Sequence, residues 1–305
     1  MATGTAPPPD VTPWHARPEA GHGLGVRIVE LVARLLGRRT AHLFVAPVAA
    51  YFLLVRGVER RASRDFLSRV LARRARLDQC FRHFHTFACI AVDRLFLLSP
   101  RGHRIRMQVT GRHLLEDTLR EGQGCILLSA HFGSFEAARQ AGLTRPQLRL
   151  RVLLDREVNL RIVQRLERIA PQFAASIIDA AGEPVALALK IGECLKAGEW
   201  IGWLGDRYRT GERTVEAGFL GAPARFPASP FIIAQMFQVP VYLVLAEFDG
   251  AQYRVVVEPL ADPRTAARDR HAFVRQGVER FAARLAQHVR QSPYNWSNFY
   301  DFWRA

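Results

Sequence analysis

His131 and Glu136 are the pair whose types and spacing most directly suggest chemistry in this chain. They close the two ends of His131-Phe132-Gly133-Ser134-Phe135-Glu136, which follows the apolar run Ile126-Leu127-Leu128. An imidazole titrates near neutral pH and can take a proton from a hydroxyl. A carboxylate beside it fixes one tautomer and stabilises the imidazolium that forms. Were all six residues helical, Glu136 would lie about 140° round the axis from His131 and the two could not meet. With the apolar run as a strand, His131 in a turn and Glu136 in the first turn of a helix, they converge. The expectation is a general base with its orienting partner. As isolated residues the same two are equally compatible with a structural role.

The elements around them must supply that geometry. From Gly124 onward, strands expected at 125–129, 150–154, 200–204, 240–247 and 252–258 alternate with helices at 134–142, 158–169, 184–197, 229–238 and 265–290. Pro184 suits a first helical position and Gly198 a C-terminal stop. This alternation predicts an α/β fold with a mainly parallel central sheet flanked by helices. Sites in such sheets lie at the carboxyl ends of strands, where His131 is expected.

Ahead of this region, residues 1–20 read as a flexible Pro-rich tail and residues 21–60 as a helical, membrane-associating segment. Residues 61–305 then form the α/β domain. Leu24, Ile28, Leu31, Val32, Leu35 and Leu36 mark one helical stripe, with Gly37 as a stop. The apolar run 41–55 is shorter than the roughly 20 residues a spanning helix needs. Arginines flank it on both sides, which fits a segment lying in the interface better than a span. The alternative is a buried core helix. Ser63 is expected to cap the next helix, and a further helix is expected over 78–98. His83 and His85 sit near Cys80, but their spacing fits a packed helix better than a metal site.

The 305-residue chain carries a formal charge of +15, and of its 43 basic residues only Lys190 and Lys196 are lysines. Such a balance favours anionic partners: nucleic acid, acidic headgroups or an acidic carrier protein. A solvated surface rich in arginine accounts for part of it. The four cysteines form no CxxC pair and read as small buried hydrophobes. No secretory signal is legible at the start of the chain. Gly21-His22-Gly23-Leu24-Gly25 follows no strand, so it is not a dinucleotide loop. Without a P-loop, HExxH or paired-cysteine motif, neither metal nor cofactor is expected.

The block HFGSFE after an apolar strand resembles the HxxxxD/E motif of glycerolipid-type acyltransferases. It is most similar to that of the bacterial lipid A late acyltransferases. Further blocks follow in that family's order. Leu153-Leu154-Asp155-Arg156-Glu157-Val158-Asn159 is similar to its second strand and Asn, and Trp203-Leu204-Gly205-Asp206-Arg207 to its Asp-Gln element. Phe219-Leu220-Gly221 with Ala224 and Pro227 resembles its Phe-Phe-Gly segment, and Val239-Pro240-Val241 its late strand. The likeness runs from about residue 24 to 290. It implies a membrane-associated O-acyltransferase on the cytoplasmic face of the bacterial inner membrane, peripheral or monotopic. The acyl donor would be an acyl carrier protein or coenzyme A thioester, and the acceptor a hydroxyl of a lipid A-type or other anionic glycolipid.

On that reading His131 is the base and Glu136 its partner, and the backbone N–H groups of Phe132, Gly133 and Ser134 are the expected oxyanion donors. Ser134 lacks a hydrolase elbow and is expected to be a small turn residue. Arg156, Arg168, Asp206 and Arg207 are expected on the substrate. Arg168 is the nearest match to a functional arginine of the family, with Arg161 and Arg165 competing. Three departures bear on the acceptor: Arg207 stands in place of Gln, Leu220 in place of Phe, and the aromatic tail 293–303 lacks a basic ending. They keep open another acceptor, such as an aryl-polyene or ornithine-type lipid. Two other classes compete. One is a thioesterase using the same His with water. The other is a non-catalytic nucleic-acid-binding protein, against which the scattered arginines and missing binding motif argue. Nucleic acid is therefore not an expected partner.

Overall fold

A computed structural model describes residues 23–99, 104–142, 148–156, 160–209, 211–265 and 269–303. The expected Pro-rich tail, Asn159 and the side chains of Arg161 and Arg165 lie outside the described residues. Three helices come first: α1 (Gly23–Val55), α2 (Gly57–Val70) and α3 (Leu77–Leu97). Then β1 (Met107–Thr110), α4 (Arg112–Arg120), β2 (Cys125–Ser129), α5 (Phe135–Gly142), β3 (Leu150–Leu154), α6 (Leu160–Ile169), α7 (Pro171–Ala174) and β4 (Ile177–Asp179) follow. After α8 (Pro184–Lys196) and β5 (Trp200–Leu204) comes a separate antiparallel hairpin, β6 (Thr214–Phe219) with β7 (Ala222–Pro227). Helix α9 (Ser229–Phe237), β8 (Val241–Phe248), β9 (Tyr253–Ala261) and α10 (Arg270–Gln291) complete the body.

Seven strands form one sheet in the order β1-β9-β8-β2-β5-β3-β4. The five strands β8, β2, β5, β3 and β4 are mutually parallel, while β9 returns antiparallel to β8 and carries β1 parallel to itself. The sheet is therefore mixed, with the parallel part at its centre. Strand β2, central and covered on both sides, buries all five of its residues, as a continuous apolar run requires. The boundaries of α8 follow the two sequence signals. Pro184 is its first residue, Glu183 caps Val185 and Ala186 N–H, and Gly198 turns the chain at φ +74° just beyond.

The N-terminal segment is two helical stretches that meet at a kink at Gly37, whose non-helical backbone (φ 83°, ψ 176°) ends the first at the expected stop. Its buried side is Ala41, Val45, Ala49 and Leu53, spaced four apart, and α1 packs against α3. Arg38 and His42 from the same side reach the buried carboxylate of Asp93 on α3. Arg38 contacts it through Nε and Nη2 at 2.7 Å each, His42 Nε2 at 2.7 Å, and Tyr253 Oη–H donates at 2.8 Å. Burial alone would raise the Asp93 carboxyl, but Arg38 and His42 outweigh it and hold it below its usual range.

The opposite side of α1 is exposed among the described residues, at Leu43, Phe44, Val48, Tyr51, Leu54 and Val55. No single helix among the described residues is long and apolar enough to cross a membrane; the nearest case is the pair 35–55 and 57–70, bent by 98°. At the bend, Arg60 Nη1–H donates to the Leu53 and Leu54 carbonyls, capping the end of α1. The boundary expected between residues 60 and 61 falls inside α2. Ser63 also lies inside α2 and caps nothing. It is buried with its Oγ 2.8 Å from His83 Nδ1, because the helix already starts at Gly57.

Candidate active site

Strand register builds the site. Residues Cys125 to Ser129 of β2 pair in parallel with Trp200 to Leu204 of β5. Gly205 N–H then donates to the Ser129 carbonyl at 2.8 Å, carrying the ladder one residue further. Two residues past each strand end, His131 and Asp206 therefore emerge side by side. His131 Nδ1 lies 2.9 Å from Asp206 Oδ1, and the His131 backbone N–H donates to Oδ2 at 3.0 Å. A third donor comes from the chain terminus, where Trp296 Nε1–H reaches Oδ2 at 2.9 Å.

The aromatic tail 293–303 docks here. Ser297 N–H donates to the His131 carbonyl at 2.7 Å and Gly133 N–H to the Asn295 carbonyl at 2.9 Å, a short antiparallel bridge. The Asn295 side chain exchanges hydrogen bonds with the Phe248 backbone, fastening the strap to the end of β8. His83 secures it from the other side, with Nε2 2.8 Å from the Trp296 carbonyl and its ring stacked on Phe299.

Electrostatics assign the protons. Burial alone would raise the Asp206 carboxyl, but His131, the Arg207 guanidinium and the Trp296 N–H hold it at about 2. It is ionised and can only accept, so the imidazole proton sits on Nδ1 and Nε2 is left with a lone pair. Burial, with the charges of Arg207 and Arg94, lowers the imidazole below its usual value despite Asp206. His131 is thus neutral at pH 7, and 28% of its side chain remains exposed. An imidazole held this way can take a proton from a hydroxyl.

The expected contact between His131 and Glu136 is not formed. Asp206 already holds Nδ1, and Glu136, second residue of α5, is turned toward α3. There Oε1 pairs with Arg94 Nε at 3.1 Å and Oε2 accepts from Ser134 Oγ at 3.0 Å. The turn between the two is built on Gly133, at φ +62°. A Cβ there would fall 1.6 Å from the Ala246 carbonyl oxygen, so only glycine lets the turn approach β8 this closely. Ser134 N–H donates to that same carbonyl at 3.1 Å, and Ser134 Oγ accepts Ala137 N–H at 3.2 Å as a helix cap. Two of the three expected oxyanion donors, Gly133 and Ser134, are therefore already occupied. Phe132 N–H meets no backbone acceptor among the described residues, and its ring is buried edge-on to His288.

Of the four residues expected on substrate, Asp206 and Arg207 lie at the imidazole. Arg207 Nη2–H donates to the Ser297 carbonyl at 3.1 Å, with its guanidinium over the Tyr300 ring. Arg156 and Arg168 are not brought to it. Arg156 stands past the end of β3, two strands along the sheet, where its N–H donates to Asp179 and its guanidinium pairs with Glu167. Arg168 is exposed on α6 and folds back on the Gln164 carbonyl.

The model of the bacterial lipid A biosynthesis acyltransferases matches residues 19–305. The chain belongs to that family. No curated protein matches it. The protein is accordingly a membrane-associated acyltransferase, and the pair His131–Asp206 lies where the first and third of the sequence blocks converge. Trp296 and Arg94 were not singled out for the acyltransferase site from sequence. Trp296 was visible only as one aromatic of the tail 293–303, and no local signal marks Arg94.

Proposed function

We propose that this acyltransferase moves a fatty acyl chain from an acyl carrier protein or coenzyme A thioester to a hydroxyl of a lipid A-type or other glycolipid acceptor. His131 Nε2 takes the proton from the acceptor hydroxyl, and Asp206 orients the imidazole and stabilises the imidazolium. A thioester is already activated, so no covalent enzyme intermediate is needed. The observation that carries this reading is the His131 imidazole held by Asp206 at 2.9 Å through Nδ1 and partly open at the strand rim.

The unpartnered apolar side of α1 supports a monotopic placement, with Leu43, Phe44, Tyr51 and Leu54 in the interface and exposed Arg39 and Arg61 toward headgroups. The +15 charge favours an anionic lipid and an acidic carrier. With such partners the working face is the cytoplasmic face of the inner membrane.

The test is mass spectrometry of whole-cell lipids from a deletion strain carrying wild type or His131→Ala. One lipid should lose a single acyl mass in the deletion and regain it only with wild type, which also names the acceptor. Restoration by His131→Ala, or a lipid profile unchanged by the deletion, would defeat the proposal.

A further inference from the structure

Attack of a hydroxyl oxygen on a thioester carbonyl forms a C–O bond and moves the π electrons of the carbonyl onto its oxygen. The hydroxyl proton passes to His131 Nε2. On collapse the C–S bond breaks, and the departing thiolate takes that proton to leave as a thiol. The oxygen that carries negative charge in between needs preorganised donors, which are worth most in a partly desolvated site. Gly133 and Ser134 N–H cannot serve, because Asn295 and Ala246 carbonyls hold them. Two guanidiniums act electrostatically on the imidazole, those of Arg207 and Arg94. Arg207 is held under the terminal strap by the Ser297 carbonyl and the Tyr300 ring.

Arg94 is built differently. It leaves α3 on the exposed stripe that also carries Phe87 and Ala91. Its Nε edge rests on Glu136 Oε1, while the rest of the side chain stays 44% exposed. Glu136 is only 12% exposed, and its other oxygen is fixed by Ser134 Oγ, which in turn caps α5. A chain of contacts thus runs from the turn bearing His131 to a guanidinium that keeps 44% of its side chain exposed.

We infer that Arg94 is a catalytic residue that stabilises the tetrahedral oxyanion, and that Glu136 is a positioning residue acting through it. This rests on the acyl-transfer reading. It gives the carboxylate of the His131–Glu136 motif a task that does not involve touching the imidazole.

The experiment is steady-state transfer by the protein in mixed micelles, with an acyl carrier protein thioester and the lipid whose acyl mass the deletion strain loses. His131→Ala is run in parallel. Arg94→Ala should lower kcat by about 100-fold or more, the loss typical for one oxyanion donor, with KM changed less than twofold. The acid limb of its kcat/KM profile should move to higher pH, because a cation that opposes protonation of His131 has gone. Arg207 and Asp206, which also face the imidazole, stay unchanged. Arg94→Lys should recover part of kcat, which a folding defect would not. Glu136→Gln should lower kcat in the wild-type background and change nothing further in Arg94→Ala, as a residue acting only through Arg94 must.

Wild-type kcat in Arg94→Ala would overturn the inference. So would a raised KM at unchanged kcat, which would make Arg94 a binder of donor or acceptor phosphate. If either occurs while His131→Ala is inactive, only the inference falls. If His131→Ala is also active, the acyl-transfer reading falls with it.

Discussion

Replacing Asp206 with Asn decides which of two carboxylates, Asp206 or Glu136, orients the His131 imidazole. Both carboxylate oxygens are surrounded by donors: His131 Nδ1 on Oδ1, and His131 N–H with Trp296 Nε1–H on Oδ2. An amide has one acceptor oxygen and one NH2 group. If the NH2 takes the Oδ2 position, it meets two N–H groups at hydrogen-bond distance. If it takes the Oδ1 position, it meets only the imidazole, which can respond by moving its proton from Nδ1 to Nε2. The second arrangement is favoured, and it blocks the lone pair that would accept the hydroxyl proton. The same change in a hydrolase triad lowers kcat by about 10⁴, equivalent to roughly 5 kcal/mol of barrier. We expect a fall of that order in Asp206→Asn, measured as initial rate of acyl transfer. The 15N shifts of the His131 ring should report a proton moved to Nε2. Near-normal kcat with an unmoved tautomer would refute the reasoning. It would also be refuted if Glu136→Gln, rather than Asp206→Asn, switched the tautomer.

Three further outcomes follow from the same contacts. Trp296→Phe removes one buried donor from an ionised acceptor and should cost about 2 kcal/mol by urea unfolding, as charged hydrogen bonds do; an unchanged midpoint would mean that water replaces the indole N–H. His83 is held neutral by burial, with its pKa lowered to about 4. The unfolded chain takes up that proton near 6.5 and the folded one only near 4, so the contribution is complete above 6.5 and is lost as pH falls toward 4. By about 1.36 kcal/mol per unit it amounts to roughly 3 kcal/mol, read as the difference in stability-versus-pH curves between wild type and His83→Gln. Parallel curves would count against it. Asp93→Ala strands Arg38 and should cost about 3 kcal/mol, the low end for breaking a buried pair because Arg38 keeps some water. Cosedimentation with anionic vesicles should weaken together with stability, and full vesicle binding would show that α1 does not need Asp93 to hold its docked position.

Much of the central sheet is legible in the sequence because its cause is local. Cys125–Ser129 is apolar without a break, and Pro184 and Gly198 bracket a helix by their own backbone preferences. The three-residue edge strand Ile177–Asp179 and the strand Met107–Thr110 are too short to show a period. The hairpin spanning 214–227 hides its alternation among Gly and Pro residues. Within the site, His131 is legible because it ends an apolar strand. Asp206 was legible as a site residue but not as the partner of that imidazole, since their meeting depends on β5 lying beside β2 in one particular register. Nearness in sequence favoured Glu136, and the positive-φ turn at Gly133 directs it elsewhere. Trp296 is 90 residues from Asp206 and 213 from His83, separations at which only the folded chain reveals a contact.

The terminal strap also sets a time at which the enzyme can begin to work. Asp206 receives one of its three donors from Trp296, and the His131 turn receives two backbone partners from Asn295 and Ser297. A ribosome making this chain will have produced the entire sheet before any of those groups exists outside the exit tunnel. During synthesis the apolar side of α1 can reach the membrane long before the His131 imidazole acquires its final hydrogen bonds. On the proposed mechanism, delivery to the lipid surface precedes competence, because the site is incomplete until residues 295–297 have left the tunnel. Chains stalled with residues 290–303 still inside the tunnel should bind vesicles yet transfer no acyl group.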